Sequence, residues 1–532
     1  LPTPNAYHAA DGMPGPDYWQ QQADYDIDCT LDTEKQQLSG IEKIKYYNRS
    51  PNILKYIWLQ LDENQHRADN ASNHANSSSI RRVMSQDGLE RLETYDEPNK
   101  YGHNIEKVTD VNGKSLKYII NNTMMRINLP NQLLPGETFT FNVKWNYNLT
   151  DRVNGIGGRG GYEYFEKEDN YIFTITQWFP RLCVYDAVEG WQNKQFTGRG
   201  EFALEFGNYN VKMTLPDDFV VASTGECQNI DEVLTSTQKQ RWKLASNNDG
   251  TEPMEIVTLD EAIANAKSKK SKSTKTWEFK ADNVRDFAWG ASRKFVWDAL
   301  PHTTTAGKKV MCMSYYPKES YPIYSKYSTK AVKHTLEVYS RYSIPYPYPI
   351  AISVEAANGM EYPMICFNYG RAEEDGTYTE RAKKGAISVI IHEVGHNYFP
   401  MIINSDERQW SWMDEGINSF YEMRYSLTKY PPQDEKKSNS LSEGLGGLNK
   451  LIGLDKFDYK DAFGFAYSLS AAENNDQPID LHSANYTSMN YGTIVYMKTG
   501  YSMNYLKSYL GDEGFDNCIR TYFNRWAFKH PY

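Results

Sequence analysis

What most limits the folds open to this chain is a change in hydrophobic period near Asp298. Upstream, apolar residues alternate with polar ones, the pattern of a half-buried strand. Tyr25, Ile27, Cys29 and Leu31 fall on one face and Asp26, Asp28 and Thr30 on the other. The turn Asp32-Thr33-Glu34 then leads to a second strand with Ile41, Ile44 and Tyr46. Residues 56–61, 139–149, 202–206, 209–215 and 219–222 repeat the pattern, which predicts an antiparallel β domain with one wet face. Downstream, residues 324–342, 381–399, 414–425 and 491–510 carry helical spacing, and 350–356 reads as a short apolar strand. The expected fold class is multidomain α+β. An N-terminal β domain covers 1–297, with a surface insertion at about 62–107, and a mainly helical domain with a small sheet covers 298–532.

At 532 residues the chain has room for two to four domains and needs neither disulfide nor metal merely to hold a core. Its 58 basic and 68 acidic residues leave a net charge of −10, which argues against a nucleic-acid or anionic-membrane partner. On the same ground the five lysines between Lys267 and Lys275 read as a solvated loop rather than a polyanion patch. The longest relevant apolar run, Ala386 to Ile391, is far too short for a bilayer, so no integral membrane segment is expected. Six cysteines lie far apart with no C-x-x-C pair, which permits bridges without requiring them. The chain opens at Leu1 with no basic-then-apolar leader, as a processed precursor or a recombinant piece would. A periplasmic or secreted location is expected. Residues 515–532 read as an amphipathic helix running into His530-Pro531, so the natural chain is expected to continue past Tyr532.

The chemistry is concentrated in His392-Glu393-Val394-Gly395-His396, inside the helix at 381–399. Residues four apart on a helix point the same way, so both imidazoles can hold one zinc at about 2.0–2.1 Å. Glu393 lies between them, where its carboxylate can reach a metal-activated water. Two surface histidines would be the plainer reading. The helix is apolar around them, however, and an unpaired buried pair is costly. A catalytic zinc needs a third ligand and an open position. Eighteen residues separate His396 from Glu415, in Trp412-Met413-Asp414-Glu415-Gly416. Pro400 breaks the first helix, and a second can present the carboxylate. Asp414 competes for that role, but helical geometry is expected to turn only one of the two toward the metal.

This spacing resembles the gluzincin aminopeptidases, the family of aminopeptidase N and leukotriene hydrolase. That family carries a Gly-x-Met-Glu-Asn motif upstream, and Asn358-Gly359-Met360-Glu361-Tyr362-Pro363 matches it with Asn358 for the first Gly and Tyr362 for the Asn. The resemblance implies that Glu361, with Gly359 and Met360, binds the free α-amine of a peptide. Residues 350–356 would lead into the motif as a strand whose edge pairs with extended substrate. A Tyr-x-Lys-Gly pattern in the family is similar to Tyr496-Met497-Lys498-Thr499-Gly500, which implies that Tyr496 steadies the tetrahedral intermediate; Tyr491 is the second candidate. Thr176-Gln177-Trp178 resembles a family Thr-Gln segment and implies a share in amine binding for Gln177. From Gly15-Pro16-Asp17-Tyr18-Trp19 onward, the first half looks like the family's saddle-shaped β domain in a bacterial, exported branch. The second half looks like its thermolysin-like catalytic domain.

The resulting reading is a zinc-dependent aminopeptidase with one Zn2+ per chain. His392, His396 and Glu415 are its ligands, Glu393 is the general base, and its substrates are peptides with a free N-terminus. Three rivals stand beside it. A thermolysin-type metalloendopeptidase would share the ligands but not the amine anchor. A non-catalytic peptidase-fold binding protein would be expected to have lost a ligand or the base. Epoxide hydrolysis, as in leukotriene hydrolase, needs features this sequence does not display.

Overall fold

The computed structural model describes residues 3–70, 83, 100–153, 157–198, 200–429 and 459–532. Most of the expected insertion at 62–107 lies outside the described residues. Its described start is a 3-10 turn, Asp62–His66, whose Asp62 is buried rather than on the surface. Asp62 is held there by Arg181 at 2.6 Å and Arg408 at 3.1 Å. Its described end is a strand, Asn104–Asp110.

The first half is built of β-sheets. A seven-stranded sheet runs in the order Glu226–Cys227, Thr274–Val284, Gly207–Pro216, Gln22–Asp32, Gln37–Tyr47, Thr138–Asn148, Asn104–Asp110. The alternation read from residues 25–31 holds: Tyr25, Ile27, Cys29 and Leu31 are all buried. Two expectations need correction. Gln22–Asp32 pairs parallel, not antiparallel, with Gly207–Pro216, with Ile27 opposite Val211. In the next strand Leu38, Ile44 and Tyr46 face the core, so Ile41 has the wrong parity and is exposed while Glu42 is buried. Residues 202–206 form no strand. They run extended and buried, with an isolated bridge from Leu204 to Cys183 and the Phe206 carbonyl accepting from the Ala23 N–H of the sheet at 3.3 Å. The lysines at 267, 269, 270 and 272 are exposed.

Two smaller four-stranded sheets bridge to the rest of the fold. One comprises Arg181–Leu182, Leu54–Gln60, Met124–Leu133 and Tyr118–Asn121; the other comprises Val220–Ser223, Trp289–Ser292, Asn170–Ile175 and Gly161–Phe165. A six-stranded sheet follows, in the order Met254–Val257, Val296–Thr303, Lys309–Tyr316, Ile350–Glu355, Ile365–Asn368, Met360–Tyr362. The strand Val296–Thr303 thus runs across position 298. Ile350–Glu355 is flanked on both sides, by Lys309–Tyr316 and Ile365–Asn368, so it offers no free edge. The edge strand is Met360–Tyr362, the motif itself.

Helices cover this sheet. Tyr321–Tyr342 packs against it and against Glu380–Gly395, which in turn packs on Ile417–Lys429. Thr379 caps Glu380–Gly395, accepting from the Ala382 N–H at 3.1 Å. Gly395 lets these helices approach: a Cβ there would stand 2.3 Å from Asn418 Oδ1 and 2.4 Å from Tyr339 Oη. All six cysteines are free. Among the described residues no helix is long and apolar enough to cross a membrane.

Candidate zinc and amine site

Glu380–Gly395 brings its two histidines side by side, with His392 Nε2 3.1 Å from His396 Nε2. The chain turns at Phe399-Pro400 and returns through Trp412–Gly416, a π-helical turn, into Ile417–Lys429. Sequence spacing predicted an ordinary helix from 414; the wider π turn changes which side chains converge. Glu415 Oε2 reaches His392 Nε2 at 3.0 Å and His396 Nε2 at 3.3 Å. Only Glu415 reaches the inner nitrogens, as expected; Asp414 lies on the outer side of His396, its Oδ1 2.7 Å from Nδ1 and off the N–H line, since that nitrogen donates to the Phe399 carbonyl at 2.7 Å.

The three inner donors form a near-equilateral triangle with edges of 3.1, 3.0 and 3.3 Å. Tetrahedral ligands at zinc distances of about 2.0–2.1 Å would be about 3.3–3.4 Å apart, so two nitrogens and a carboxylate oxygen fit one Zn2+. Their outer atoms are engaged as metal-binding histidines require. His396 Nδ1 has Phe399, and His392 Nδ1 lies 3.3 Å from Glu422 Oε2. Burial works against charge on both imidazoles. Glu415 and Glu422 nevertheless raise His392 to about 10, while Glu361, Asp414 and Glu415 raise His396 well above its usual range. Glu415 is held below the ordinary carboxylate range by the imidazoles, against its burial. This arrangement concentrates positive charge among carboxylates, which is what a divalent cation would replace.

Glu393 is 7% exposed, and burial raises it to about 7 against the pull of His392 and His396. One oxygen each from Glu361, Glu393 and one nitrogen of His396 lie within 4.8 Å of one another. Gly359 explains that closeness, since a Cβ there would stand 3.1 Å from Glu393 Oε1. Tyr496 lies on a second π-helical segment, Tyr491–Lys498. Its hydroxyl donates to Glu415 Oε1, and its ring stacks on His392 with centroids 5.9 Å apart. The two π segments touch at Gly416, where a Cβ would meet Thr499 Cγ2 at 2.4 Å and the Val495 carbonyl at 2.6 Å. Tyr491 stands behind, 6.1 Å from Tyr496 ring to ring.

Glu361 is 3% exposed, and its Oε1 has no hydrogen-bond partner. The two departures from the family pattern have local roles. Asn358 Nδ2 donates to the Arg159 carbonyl at 2.9 Å, and Tyr362 is buried edge-on against Phe367. Met360 is buried, its Sδ 2.8 Å from Arg159 Nη1. Gln177 is fully buried at φ 56°, and neither amide atom has a hydrogen-bond partner. Beside Glu361 stands Glu201, which the sequence reading missed, as it missed Arg159, Glu407 and Glu422. Glu422 carried a usable signal, lying seven residues, two helical turns, after Glu415. Glu201 and Glu407 carried none, being in irregular segments with no period to give a side chain a face.

Residues 327–531 match the peptidase family M1 domain. Aminopeptidase M1-B of Oryza sativa subsp. japonica is 22% identical over 242 residues, 44% of this chain and 25% of the relative. The Probable aminopeptidase 2 of Sulfurisphaera tokodaii is 22% identical over 211 residues, 38% of this chain and 25% of the relative. The chain therefore spans about a quarter of the length of the curated relatives it matches. The M1 zinc metallopeptidase of Deinococcus radiodurans superposes with a TM-score of 0.57 at 12% identity, covering 96% of this chain and 87% of that one. A mutant of it bound to a Tyr-ser-ala substrate superposes at 0.56 with 11% identity, covering 96% and 88%. These likenesses establish the shared α+β fold.

Proposed function

We propose that this chain, whose residues 327–531 match the peptidase family M1 domain, is a zinc-dependent aminopeptidase that removes the N-terminal residue from peptides. The observation that carries the reading is the convergence of one donor triangle, one buried base and one buried carboxylate on the edge strand Met360–Tyr362. His392, His396 and Glu415 hold the metal. When bound, zinc polarises the scissile carbonyl and acidifies water.

The chain's own groups perform the rest. Glu393 takes a proton from the attacking water at its carboxylate and passes it to the leaving amine. Its apolar burial, which raises its pKa to about 7, suits a group that must both accept and release a proton near neutrality. Tyr496 donates its hydroxyl proton in a hydrogen bond to the developing oxyanion. The edge strand Met360–Tyr362 pairs with extended substrate, and Glu361, with a share for Gln177, receives the α-ammonium. The exported, bacterial setting belongs to the same reading and is supported by the family likeness of the opening segment; cell fractionation checks it.

Paired peptides with free and acetylated N-termini, followed by mass spectrometry, test the reading. Acetylation removes the charge that Glu361 would pair with and leaves a desolvated carboxylate unpartnered, a loss of about 2–5 kcal/mol. Free peptides should be shortened one residue at a time, and acetylated copies at least about 30-fold more slowly. Glu361→Ala should slow the free peptides strongly and the acetylated ones little. Internal cleavage of acetylated peptides at comparable rates would make the enzyme a thermolysin-type endopeptidase.

A further inference from the structure

The turn that delivers the edge strand is bent against its own preference. Ala356 and Ala357 follow the strand Ile350–Glu355 and lead toward Met360–Tyr362. Ala357 holds φ at +47°, in the left-handed region that a side chain disfavours. A residue other than glycine stays there where its surroundings fix it from several sides.

Here the fixing comes from the β half, at three points between positions 152 and 163. Arg152 forks onto two successive carbonyls: its Nη1 donates to Ala356 and its Nη2 to Ala357, the latter at 2.9 Å. Asn358 Nδ2 donates to the Arg159 carbonyl at 2.9 Å. Glu163 accepts from Arg371 at 2.6 and 2.7 Å, and the same guanidinium holds Glu355, at the foot of the turn, at 3.1 and 3.2 Å. Arg152 is itself pinned: its N–H donates to the Tyr162 carbonyl at 3.0 Å, and the Tyr162 N–H donates to the Thr150 carbonyl at 2.9 Å. Gly161 permits that pairing, with φ at +131° and a Cβ position only 2.2 Å from the Thr150 carbonyl oxygen. The Asn358 anchor exists because this chain carries a side chain where the resembling motif has glycine.

We propose that Arg152 is a positioning residue for peptide binding: it holds the turn at 356–358 so that Met360–Tyr362 is presented to extended substrate, with Asn358 as a second anchor. This rests on the reading of that strand as the substrate-pairing edge, and adds that its position is governed from the β half. The planar guanidinium matters, since its fork matches two carbonyls at once, whereas an ammonium is a point donor. A displaced edge strand weakens substrate in the ground and transition states alike, so KM should rise while kcat holds. A merely structural role does the reverse. Fewer folded molecules lower the apparent kcat and leave KM alone.

Steady-state kinetics on the zinc-loaded full chain test the assignment, using a free-amine peptide and its acetylated copy. Arg152→Ala should raise KM for the free peptide at least about tenfold, as the loss of two charge-assisted hydrogen bonds implies, with kcat held within about twofold. Millimolar guanidinium should restore part of the affinity, and methylammonium should not. Arg152→Lys should raise KM about threefold or more, and it decides the matter should Arg152→Ala fail to fold. Asn358→Gly, which removes one neutral hydrogen bond, should raise KM about threefold; a silent Asn358→Gly strikes Asn358 from the assignment. An unchanged KM in Arg152→Ala, or in Arg152→Lys where only that variant folds, overturns the role of Arg152. A wild type that cuts the acetylated peptide as fast as the free one refutes the aminopeptidase reading, and the KM comparison on the acetylated peptide then decides Arg152 separately. A wild type that cuts neither overturns both.

Discussion

The zinc corner and the amine corner both rely on buried carboxylates, and they are assembled in different ways. His392, His396 and Glu415 come from one helix and the turn that opens the next. Their support is close by: the Phe399 carbonyl, three residues from His396, accepts from its Nδ1 at 2.7 Å, and Glu422, on the helix that follows Glu415, lies 3.3 Å from His392 Nδ1. Glu201 and Glu361 come from segments 160 residues apart, and Glu201 is held by Arg159, 42 residues away, and by Arg408, 207 residues away. Arg408 spans from the loop between the zinc helices to Gln60 and Asp62 in the β half, at 2.8 and 3.1 Å. One corner is thus set by helical spacing, the other by how the halves dock. The difference implies that the two can be damaged separately.

The largest effect should come from His392→Ala, which removes one of three donors. Metal analysis after dialysis should find zinc lost and hydrolysis at background, whereas Glu361→Ala should keep about one zinc per chain. If Glu361→Ala sheds its metal too, the corners are not separable. Full zinc in His392→Ala would mean the donor triangle is wrong.

Glu393→Gln comes next, because it spares both corners and removes only the base. With zinc retained, kcat should fall by about 10²–10⁴; near-normal turnover would dismiss the mechanism. Tyr496→Phe keeps the ring stacked on His392 and removes one donor. Its cost should be about 10²–10³ in kcat with little change in KM. A silent Tyr496→Phe beside a crippled Tyr491→Phe would transfer the role to Tyr491. The smallest effect belongs to Glu422→Gln, which touches the metal only through His392 Nδ1. Chelator competition should show zinc affinity weakened by about 10–100-fold, while the preference for a free amine is unchanged. Unaltered zinc affinity would show that Glu422 does not orient His392 for the metal.

Much of the zinc corner could be read before any coordinates. A four-residue spacing on a helix puts two imidazoles on one face, and a break plus a second helix allows the carboxylate to return. The strand at Gln22–Asp32 was equally legible, since period two sorts its residues into faces. Ile41 shows where that logic slips: its strand obeys the period set by Leu38, Ile44 and Tyr46, and the acidic Glu42 takes the inner place. The π turns were not legible, because they alter the spacing of a segment whose composition is still helical.

The sequence by itself determined the α+β order of elements and singled out the three candidate zinc donors and the candidate base, because each depends on neighbours within a few turns of chain. Only the tertiary structure decided that Gln22–Asp32 lies parallel to Gly207–Pro216, that Met360–Tyr362 is an edge strand, and that Glu201 lies beside Glu361. Those contacts join residues far apart along the chain. Their partners are chosen by docking of sheets and by buried ion pairs, such as Arg181 with Asp62 and Asp286. No local period records such a choice, since a lone charge in an irregular segment looks the same in sequence whether it meets water or a substrate.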